Sequence, residues 1–336
     1  MGQVVELFDV FPFTTPPRRF LRDEETLLSR AISRAPGVSW DPIPPLVVNV
    51  IGQEFKDKAF EPPRILWESE YGRIEWIQMD FRQPMYHRNL DVDELAFQIA
   101  GPRTLMTELG TVELRPGDFV KIPVGVAHDN YGRKESHLLW YLPAGVEDVG
   151  PVTNRAEVLI PPFEGWTSQI VNEVHTDCLG ARHCDRAVQL SDETLLLEQA
   201  NSEPDRLQVM HDDPAPDTTG WIWKGPDHWI GVTATEEADG RTYVRHRNAE
   251  EVQYQIEGTR LLVSANGVVE MTPGTFVHIP TGVAYTSIHT QPSRVVTTIS
   301  RHKFDSAYGG ATESSRWSFE EIDAYRSQRR TAPVQA

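Results

Sequence analysis

Cysteine is scarce in this chain, whose 336 residues include only Cys178 and Cys184. A disulfide framework of the kind found in small secreted proteins is therefore not indicated. The chain also lacks an apolar run approaching the ~20 residues that a membrane span requires. Its first residues, Met1 to Phe13, contain no basic region followed by a long apolar core. These absences predict a cytoplasmic protein with no membrane partner.

Basic residues are too few to balance the acidic ones. The sequence has 32 lysines and arginines against 49 aspartates and glutamates, which gives a formal net charge of −17. Nucleic acids and anionic membrane surfaces are negatively charged as well, so the long-range field disfavours both as partners. An anionic small substrate stays compatible with this charge if arginines line its binding site.

A long internal repeat is the most informative feature that the sequence does contain. Both copies have a His-Arg-Asn triplet, a glutamate, a glycine, a Pro-Gly-x-Phe-Val-x-Ile-Pro segment and a final glycine. In the first copy these are His87-Arg88-Asn89, Glu94, Gly101, Pro116 to Pro123 and Gly125, followed by His128. In the second copy they are His246-Arg247-Asn248, Glu251, Gly258, Pro273 to Pro280 and Gly282, followed by Tyr285. Such a repeat predicts two similar structural units.

Short apolar and β-branched runs surround both copies and are separated by Gly, Pro or Asn, which predicts an antiparallel all-β fold. Strands are predicted in the first half at 46–51, 72–79, 94–99, 104–107, 112–114, 119–122 and 137–142. Short helices are predicted at 23–33 and 319–328 from apolar residues at helical spacing. The segment that contains Cys178 and Cys184 is interpreted as a loop.

The first copy carries the donor atoms of a metal site. His87, Glu94 and His128 offer two imidazole nitrogens and one carboxylate oxygen, a set that suits a divalent first-row metal and leaves about three coordination positions open. A structural zinc site would usually recruit cysteines, and none lies near these motifs.

The sequence offers two candidates for the carboxylate ligand, because Asp93 directly precedes Glu94. Neighbouring residues on a strand point to opposite faces, so only one of the two can face the metal. Asp93 shares its face with apolar residues, so hydrophobicity alone would turn Asp93 inward. The spacing from Glu94 to Gly101 favours Glu94 instead, and we predict Glu94 as the ligand.

The Glu94 to Gly101 spacing, and that from Gly117 through Pro123 and Gly125 to His128, resemble the two motifs of the cupin superfamily. This resemblance implies an all-β chain with two cupin (double-stranded β-helix, jelly-roll) barrels and a few short helices. The corresponding ranges are an N-terminal arm with a short helix (1–44), an N-terminal cupin with the metal site (45–145), a connecting region that contributes strands to the barrels (146–225), a metal-free C-terminal cupin (226–305), and a C-terminal helix and tail (306–336).

The His-Arg-Asn triplet followed by glutamate narrows the resemblance to ring-cleaving dioxygenases, namely the homogentisate, gentisate and hydroquinone enzymes. It implies Fe(II) as the cofactor, and a small aromatic substrate and O2 as partners. The resemblance also implies that Asn89 lies close to the iron. Because they lie near the motifs, we further predict His137 as an acid/base group and Arg88 or Arg103 as the partner of a substrate carboxylate. Asn130 and Tyr131 are further candidates because they directly follow the second motif.

Other readings remain open. One is a different metal-dependent cupin reaction, such as decarboxylation or isomerisation with Mn or Zn, and another is a non-catalytic bicupin that binds a small ligand. In the second copy Tyr285 replaces an imidazole, which predicts a site without metal; the alternative is iron held by His246 and Glu251 with Tyr285, His278 or His289. We also expect a homo-oligomer, with the second barrel supporting the contact between subunits.

Overall fold

Strands make up most of the chain in the computed structural model, which describes residues 1–29, 34–35, 38–39, 43–52, 55–56, 60–179, 184–202, 206–289, 291–306 and 309–330. The helices of these residues are α1 (Glu24–Leu28), α2 (Glu193–Glu198), α3 (Phe319–Arg330) and a short 3-10 helix at Gln199–Ser202. The predicted all-β class with a few short helices is confirmed. The helix predicted at 319–328 is present, whereas α1 ends earlier than predicted, and 30–33 lie outside the described residues.

The strands fall into three groups along the chain. From the N-terminus to the end of the first repeat they are β1 (Gly2–Leu7), β2 (Arg18–Arg22), β3 (Arg34–Ala35), β4 (Val38–Ser39), β5 (Val47–Val50), β6 (Phe60–Ser69), β7 (Gly72–Met79), β8 (Met85–Asn89), β9 (Val92–Ala100), β10 (Arg103–Thr107), β11 (Gly110–Leu114), β12 (Phe119–Ile122), β13 (His128–Gly132) and β14 (Glu135–Pro143). The connecting region adds β15 (Glu147–Asp148), β16 (Val152–Arg155), β17 (Ile170–Asp177), β18 (Cys184–Asp192), β19 (Gln208–Met210) and β20 (Thr218–Lys224). The remainder holds β21 (His228–Thr235), β22 (Thr242–His246), β23 (Glu250–Glu257), β24 (Arg260–Ser264), β25 (Gly267–Met271), β26 (Thr275–Ile279), β27 (Tyr285–His289), β28 (Ser293–Ser300), β29 (Asp305–Ser306) and β30 (Thr312–Glu313).

Each repeat forms a barrel from one six-stranded and one eight-stranded sheet. In the first barrel the sheet orders are β11-β10-β13-β8-β17-β18 and β16-β19-β12-β9-β14-β7-β6-β29. In the second they are β2-β1-β22-β27-β24-β25 and β15-β20-β21-β28-β23-β26-β5-β30. The two orders correspond strand by strand, so the sequence repeat is also a repeat of topology, and the chain folds as two cupin-type barrels.

The strand β5 pairs with the barrel that its position in the sequence does not suggest. The segment predicted as the first strand of the N-terminal cupin forms β5, but β5 pairs with β26 of the second barrel. At the equivalent place in the first barrel, β19 of the connecting region pairs with β12. The boundary predicted at residue 45 is therefore wrong for β5, because pairing across the sheets, rather than adjacency in sequence, decides which barrel a strand completes.

A hairpin from outside the repeat extends each six-stranded sheet. In the first barrel β17 lies parallel to β8 and pairs with β18. In the second barrel β1 lies parallel to β22 and pairs with β2. The sequence analysis assigned no strand to the N-terminal arm and interpreted the segment around Cys178 as a loop, and both interpretations are wrong where these hairpins form.

The two eight-stranded sheets pack against each other and bury the largest apolar cluster of the described residues. This cluster includes Trp76, Leu95, Phe97, Trp140 and Leu142 from the first barrel and Trp223, Val252, Tyr254 and Phe276 from the second. The Trp140 indole also donates a hydrogen bond to the Thr298 hydroxyl at 3.0 Å. Each fully buried large apolar side chain contributes about 1.5–3 kcal/mol, so the contact between the barrels is a major source of stability.

A second apolar cluster fills the interior of the first barrel and includes Ile77, Ala96, Leu105, Leu139 and Tyr141. The strands of the eight-stranded sheet therefore have two buried faces, one toward the barrel interior and one toward the partner barrel.

The repeated glycines occupy turns that other residues fit poorly. Gly101 and Gly258 have φ values of +66° and +73°. A Cβ added at Gly101 would lie 2.5 Å from the Lys134 carbonyl oxygen, and one at Gly258 would lie 2.2 Å from that of Pro292. Only glycine adopts this conformation at so close an approach without strain, which explains why both copies carry it at the end of the same strand.

Candidate metal centre

The first barrel brings together the three predicted metal ligands. His87 at β8 and His128 at β13 are cross-strand partners in the six-stranded sheet, and Glu94 reaches them from β9 of the opposite sheet. One donor atom from each side chain lies within 4.8 Å of the others. His128 Nε2 is 3.5 Å from Glu94 Oε2. Among the described residues, this is the cluster of His, Cys, Asp and Glu side chains whose geometry suits a metal ion.

Electrostatic interactions within this cluster keep the Glu94 carboxylate ionised. Burial by itself would raise the pKa of Glu94, but the adjacent His128 and His87 and the hydrogen bond from Asn89 outweigh it and bring the pKa to about 2. Burial would lower the pKa of His128, but the adjacent Glu94 outweighs it and raises this pKa above its ordinary value. His128 Nδ1 lies 3.2 Å from the Val126 carbonyl oxygen, so a metal that binds Nε2 would displace the proton that faces Glu94. A buried carboxylate beside two imidazoles is stabilised by a positive charge, which a bound divalent metal would supply.

Residues around the ligands hold them in place. The Asn89 amide donates to Glu94 Oε2 at 2.7 Å, and Asn89 Oδ1 accepts from Cys178 Sγ at 3.1 Å. Asn89 therefore positions the carboxylate. Cys178 takes part through this bond, while His183 of the same segment lies outside the described residues.

The β17–β18 hairpin supplies a second support that the sequence analysis missed. Nε2 of His87 contacts the Thr176 hydroxyl, which in turn donates to Asp185 Oδ1 at 2.7 Å. Supports of this kind orient metal-binding imidazoles and tune their basicity. The alternating residues of β17 could have identified the strand, but no local signal shows that Thr176 lies beside His87, because that depends on the parallel pairing of β17 with β8.

Asp93, the alternative carboxylate, has a different role. Its side chain accepts hydrogen bonds from the backbone N–H groups of Val124 at 2.9 Å, Gly145 at 3.0 Å and Val146 at 3.1 Å. These bonds tie the strand to two loops. The structure thus places Glu94, and not Asp93, beside His87 and His128.

We expect Glu94→Gln to lose most bound metal and Asp93→Asn to keep it, because the two carboxylates point to opposite faces of β9. Asp93→Asn should instead lower the unfolding free energy by about 1–3 kcal/mol, since hydrogen bonds to a charged acceptor are weakened. Metal analysis and chemical denaturation of the two purified variants measure both effects. Metal loss in the Asp93 variant alone would reverse the ligand assignment.

A cavity of about 420 Å³ opens beside the cluster. Its wall includes the three ligand residues together with Pro63, Ile65, Arg73, Glu75, Ile77, Met79, Gln83, Met85, Asn130, His137, Leu139, Tyr141, Val174 and Asp185. This volume is within the range of small-molecule sites. The His87, Glu94 and His128 cluster therefore borders a chamber of the size that small-molecule sites have.

His137 lines the cavity as predicted, but both of its ring nitrogens are engaged. Nδ1 lies 2.9 Å from Glu135 Oε2, and Nε2 lies 3.0 Å from the Arg103 guanidinium. Burial, followed by the neighbouring Arg103 charge, lowers the pKa of His137. A neutral ring that donates through Nδ1 and accepts through Nε2 has no proton free for a substrate, so the geometry does not favour the predicted acid/base role.

The second barrel contains an arginine equivalent to Arg103, so the contacts of the two arginines can be compared. The Arg103 guanidinium donates to Gln98 Oε1 at 3.1 Å and to Asn130 Oδ1 at 3.3 Å. At the equivalent positions, Arg260 donates to Gln255 Oε1 at 2.9 Å and to the Ser287 hydroxyl at 2.7 Å. Because this arginine–glutamine pair recurs in both barrels, it is a feature of the barrel scaffold, which argues against the predicted role of Arg103 in carboxylate binding.

Arg88 and Tyr131 do not line the cavity. Arg88 forms ion pairs with Glu108 at 2.8 Å and Glu173 at 2.9 Å, and strand alternation turns it away from its neighbour His87. The Tyr131 ring packs on Phe163 with centroids 4.5 Å apart. The geometry therefore does not favour the predicted roles of these two residues at the site. Asn130 does line the cavity, and it donates to Gln83 Oε1 at 2.9 Å.

In the second barrel, hydrogen bonds from neighbouring side chains engage both oxygens of Glu251, the residue that corresponds to Glu94. The Tyr285 hydroxyl donates to Glu251 Oε2 at 2.6 Å, and the Gln253 amide donates to Glu251 Oε1 at 2.7 Å. His246 Nε2 lies 3.6 Å from the same carboxylate. Burial and the adjacent Glu251 raise the pKa of Tyr285 well above its ordinary value, so Tyr285 is a neutral donor. His278 is directed elsewhere and pairs with Glu250 at 2.8 Å.

Comparisons with known proteins report similar overall arrangements at low identity. A protein from Pseudomonas aeruginosa described as glyoxylate-induced is 12% identical, with 82% of this chain and 97% of that chain covered and a TM-score of 0.44. A variant of Bacillus subtilis oxalate decarboxylase is 11% identical, with 82% and 80% covered and a TM-score of 0.44. A variant of salicylate 1,2-dioxygenase from Pseudoaminobacter salicylatoxidans is 12% identical, with 69% and 71% covered and a TM-score of 0.42. No family model and no curated protein sequence matches the chain.

The class of protein defined by the fold and the site is a two-barrel β protein with a His/Glu/His cluster in its first barrel. This statement rests on the strand pairing and side-chain geometry of the chain itself. Of the helices in the described residues, none has the length and apolar character needed to cross a bilayer. The predicted homo-oligomer and cytoplasmic location stay predictions.

Proposed function

We propose that this chain is an Fe(II)-dependent dioxygenase that cleaves the ring of a dihydroxylated or hydroxy-carboxylated aromatic with O2. The observation that carries the proposal is the clustering of two imidazoles and one carboxylate within 4.8 Å, beside a cavity of about 420 Å³. Such a three-donor set leaves coordination positions open on one face, as in non-haem iron oxygenases. The partners of this activity are a small aromatic substrate and O2.

In this proposal His87, Glu94 and His128 hold the metal. Bound Fe(II) supplies the redox chemistry that lets O2 react with an electron-rich ring. Asn89 keeps the Glu94 carboxylate aimed at the metal, while Thr176 and Asp185 fix the His87 ring. These supports limit the motion of the ligands, which reactions at an open metal face require.

The cavity wall provides the substrate contacts. Ile77, Met79 and Leu139 offer apolar surface for the faces of a ring and exclude water from the reacting atoms. Gln83 and Asn130 offer uncharged amides that can bind hydroxyl groups at its edge. The buried His137, fixed between Glu135 and Arg103, is assigned a positioning role for this wall.

Anaerobic reconstitution tests the proposal. Metal-free protein loaded with Fe(II), Mn(II) or Zn(II) should consume O2 with a panel of benzenediols and hydroxybenzoates only in its Fe(II) form, with one O2 used per ring opened. An oxygen electrode and product absorbance measure the two quantities. Turnover by the Mn(II) or Zn(II) form without O2 consumption would indicate a decarboxylase or isomerase, and failure to bind any of the metals would indicate a non-catalytic ligand-binding protein.

A further inference from the structure

The six-stranded sheet of the first barrel ends at β18. This strand pairs with β17 on one side, and among the described residues no strand pairs with its other side. Its residues 185–190 are exposed. An edge strand of this length presents unpaired backbone N–H and C=O groups, so it can serve as a template for pairing with a strand of another chain.

The equivalent edge of the second barrel is protected by charge. There β2 takes the place of β18, and Arg18, Arg19 and Arg22 are three of its five residues, all exposed. Charged side chains on an edge strand oppose pairing with other strands. The centre of β18, residues 187–191, carries no charged side chain. The two equivalent edges therefore differ, and β18 is the one that suits a partner strand.

Apolar side chains surround the edge of β18. Val188 and Leu190 of this strand are 52% and 68% exposed. Ile170 of β17 is 60% exposed and is a diagonal neighbour of Leu190, because Leu190 pairs with Asn172. Leu195, in α2 directly after the strand, is 61% exposed. Exposed apolar side chains grouped beside an unpaired edge indicate an interaction surface.

The side chains of β18 are complementary to a second copy of the same strand. In antiparallel pairing about a two-fold axis at Gln189, each residue faces the one equally far beyond Gln189 in the other copy. Arg186 then faces Asp192 of the other copy, and this contact occurs twice. Val188 likewise faces Leu190 twice. Opposite charges and apolar side chains in directly opposed positions stabilise an antiparallel strand pair.

Neighbouring registers lack this complementarity. With the axis between Val188 and Gln189, Asp185 would face Asp192, and like charges directly opposite each other are destabilising. With the axis on Val188, neither Arg186 nor Asp192 faces an opposite charge. An axis beyond Gln189 moves the position that faces Arg186 past the end of β18. Charge therefore selects the register centred on Gln189.

We propose that two copies of this chain form a dimer in which each β18 pairs antiparallel with the other about a two-fold axis at Gln189. The contact joins the six-stranded sheets of the two first barrels and covers the apolar side chains beside the edge. Arg186 already pairs with Asp177 of its own hairpin at 2.9 Å, but its side chain is 61% exposed. An exposed ion pair is weak, so Asp192 of the other copy is a second acidic partner for Arg186.

The dissociation constant of the dimer tests this surface. Light scattering on a concentration series of the full chain measures it, and the chain should be dimeric at about 100 µM. Leu190→Lys should raise the dissociation constant at least about tenfold, because apolar contacts on both sides of the axis are lost. Leu21→Lys on β2 is the matched control, since Leu21 is 62% exposed on the equivalent edge. Its dissociation constant should equal that of the unaltered chain.

Complementary charge variants test the register itself. Arg186→Glu places acidic side chains opposite Asp192, and Asp192→Lys places basic side chains opposite Arg186. Each variant alone should dimerise at least about threefold more weakly than the unaltered chain. An equimolar mixture of the two restores opposite charges at both contacts of the mixed dimer, so its dissociation constant should return to the unaltered value. Because Asp192 also caps α2 through the Leu195 N–H, this recovery separates pairing from any effect on the fold.

Three results would overturn the proposed dimer. The first is an unaltered chain that stays monomeric at about 100 µM. The second is a dimer whose dissociation constant is the same in Leu190→Lys as in the unaltered chain, because the contact would then lie on another surface. The third is a mixture of the charge variants that associates no more tightly than either variant alone.

Discussion

Replacing His128 by alanine is expected to lower the metal affinity of this chain by at least about 100-fold and to abolish any metal-dependent turnover. Changes to residues that merely support ligands cost about 10–100-fold, and His128 is itself one of the three donors of the cluster. Its removal leaves His87 and Glu94, which cannot define an open three-donor face. Metal analysis after dialysis against a competing chelator measures the loss.

The second barrel supplies a matched control for this variant. Tyr285→Phe changes the equivalent position and should leave the metal content unaltered, because the neutral Tyr285 hydroxyl bonds Glu251 in the other barrel. His128→Gln covers the case in which the alanine variant folds poorly, since glutamine fills more of the buried space. Full metal content in a folded His128→Gln and a folded His128→Ala would contradict the assignment of this cluster as the metal centre.

Exchanging two residues is expected to create a metal site in the second barrel. Tyr285 stands where the first barrel has His128, and Gln253 stands where it has Ala96. These two side chains form hydrogen bonds to both carboxylate oxygens of Glu251. The double variant Tyr285→His with Gln253→Ala would therefore free the carboxylate and add the imidazole donor that this barrel lacks. His246 Nε2 already lies 3.6 Å from Glu251 Oε2. We expect the double variant to bind about one more equivalent of Fe(II) per chain than the unaltered protein.

The two single variants, Tyr285→His and Gln253→Ala, show how much each substitution contributes to metal binding in this barrel. Tyr285→His alone retains the Gln253 bond to Glu251, and Gln253→Ala alone lacks the imidazole, so both should bind less metal in this barrel than the double variant. Calorimetric titration of metal-free protein counts the equivalents. An unchanged stoichiometry in the folded double variant would show that Arg260, whose guanidinium contacts Gln253 and lies near Glu251, still neutralises the carboxylate without metal. The model in which Tyr285 and Gln253 alone close this site would then be wrong.

The choice between Asp93 and Glu94 shows how far hydrophobic patterning can be trusted here. The apolar face of β9 carries Leu95 and Phe97, which suggests that this face points into the barrel. In the structure both residues belong to the cluster between the two barrels. The most apolar face of the strand is thus directed at the partner barrel, and the interior is more polar because it holds the candidate site. The glycine spacing predicted the arrangement correctly because Gly101 is required by the turn that ends β9.

The residues whose predicted roles the geometry contradicts or disfavours are those whose environment depends on contacts between distant parts of the chain. Arg88 is adjacent to a ligand in sequence, but Glu173 of the connecting region draws it into an ion pair. His137 lines the cavity as expected, yet Arg103 and Glu135 engage both of its ring nitrogens. Nothing in the local sequence of Arg73, Glu75 and Asp185 places them beside the ligands, although all three line the cavity.

The sequence by itself determined the all-β class, the two-barrel organisation and the positions of the three clustered side chains. Each of these follows from local spacing: glycines that permit tight turns, and donor residues at fixed distances from those glycines. Only the tertiary structure decided which hairpin completes each barrel and how Tyr285 and Gln253 satisfy Glu251. These features depend on pairing between strands far apart in the chain, and the burial and hydrogen bonds that such pairing creates have no counterpart in local sequence.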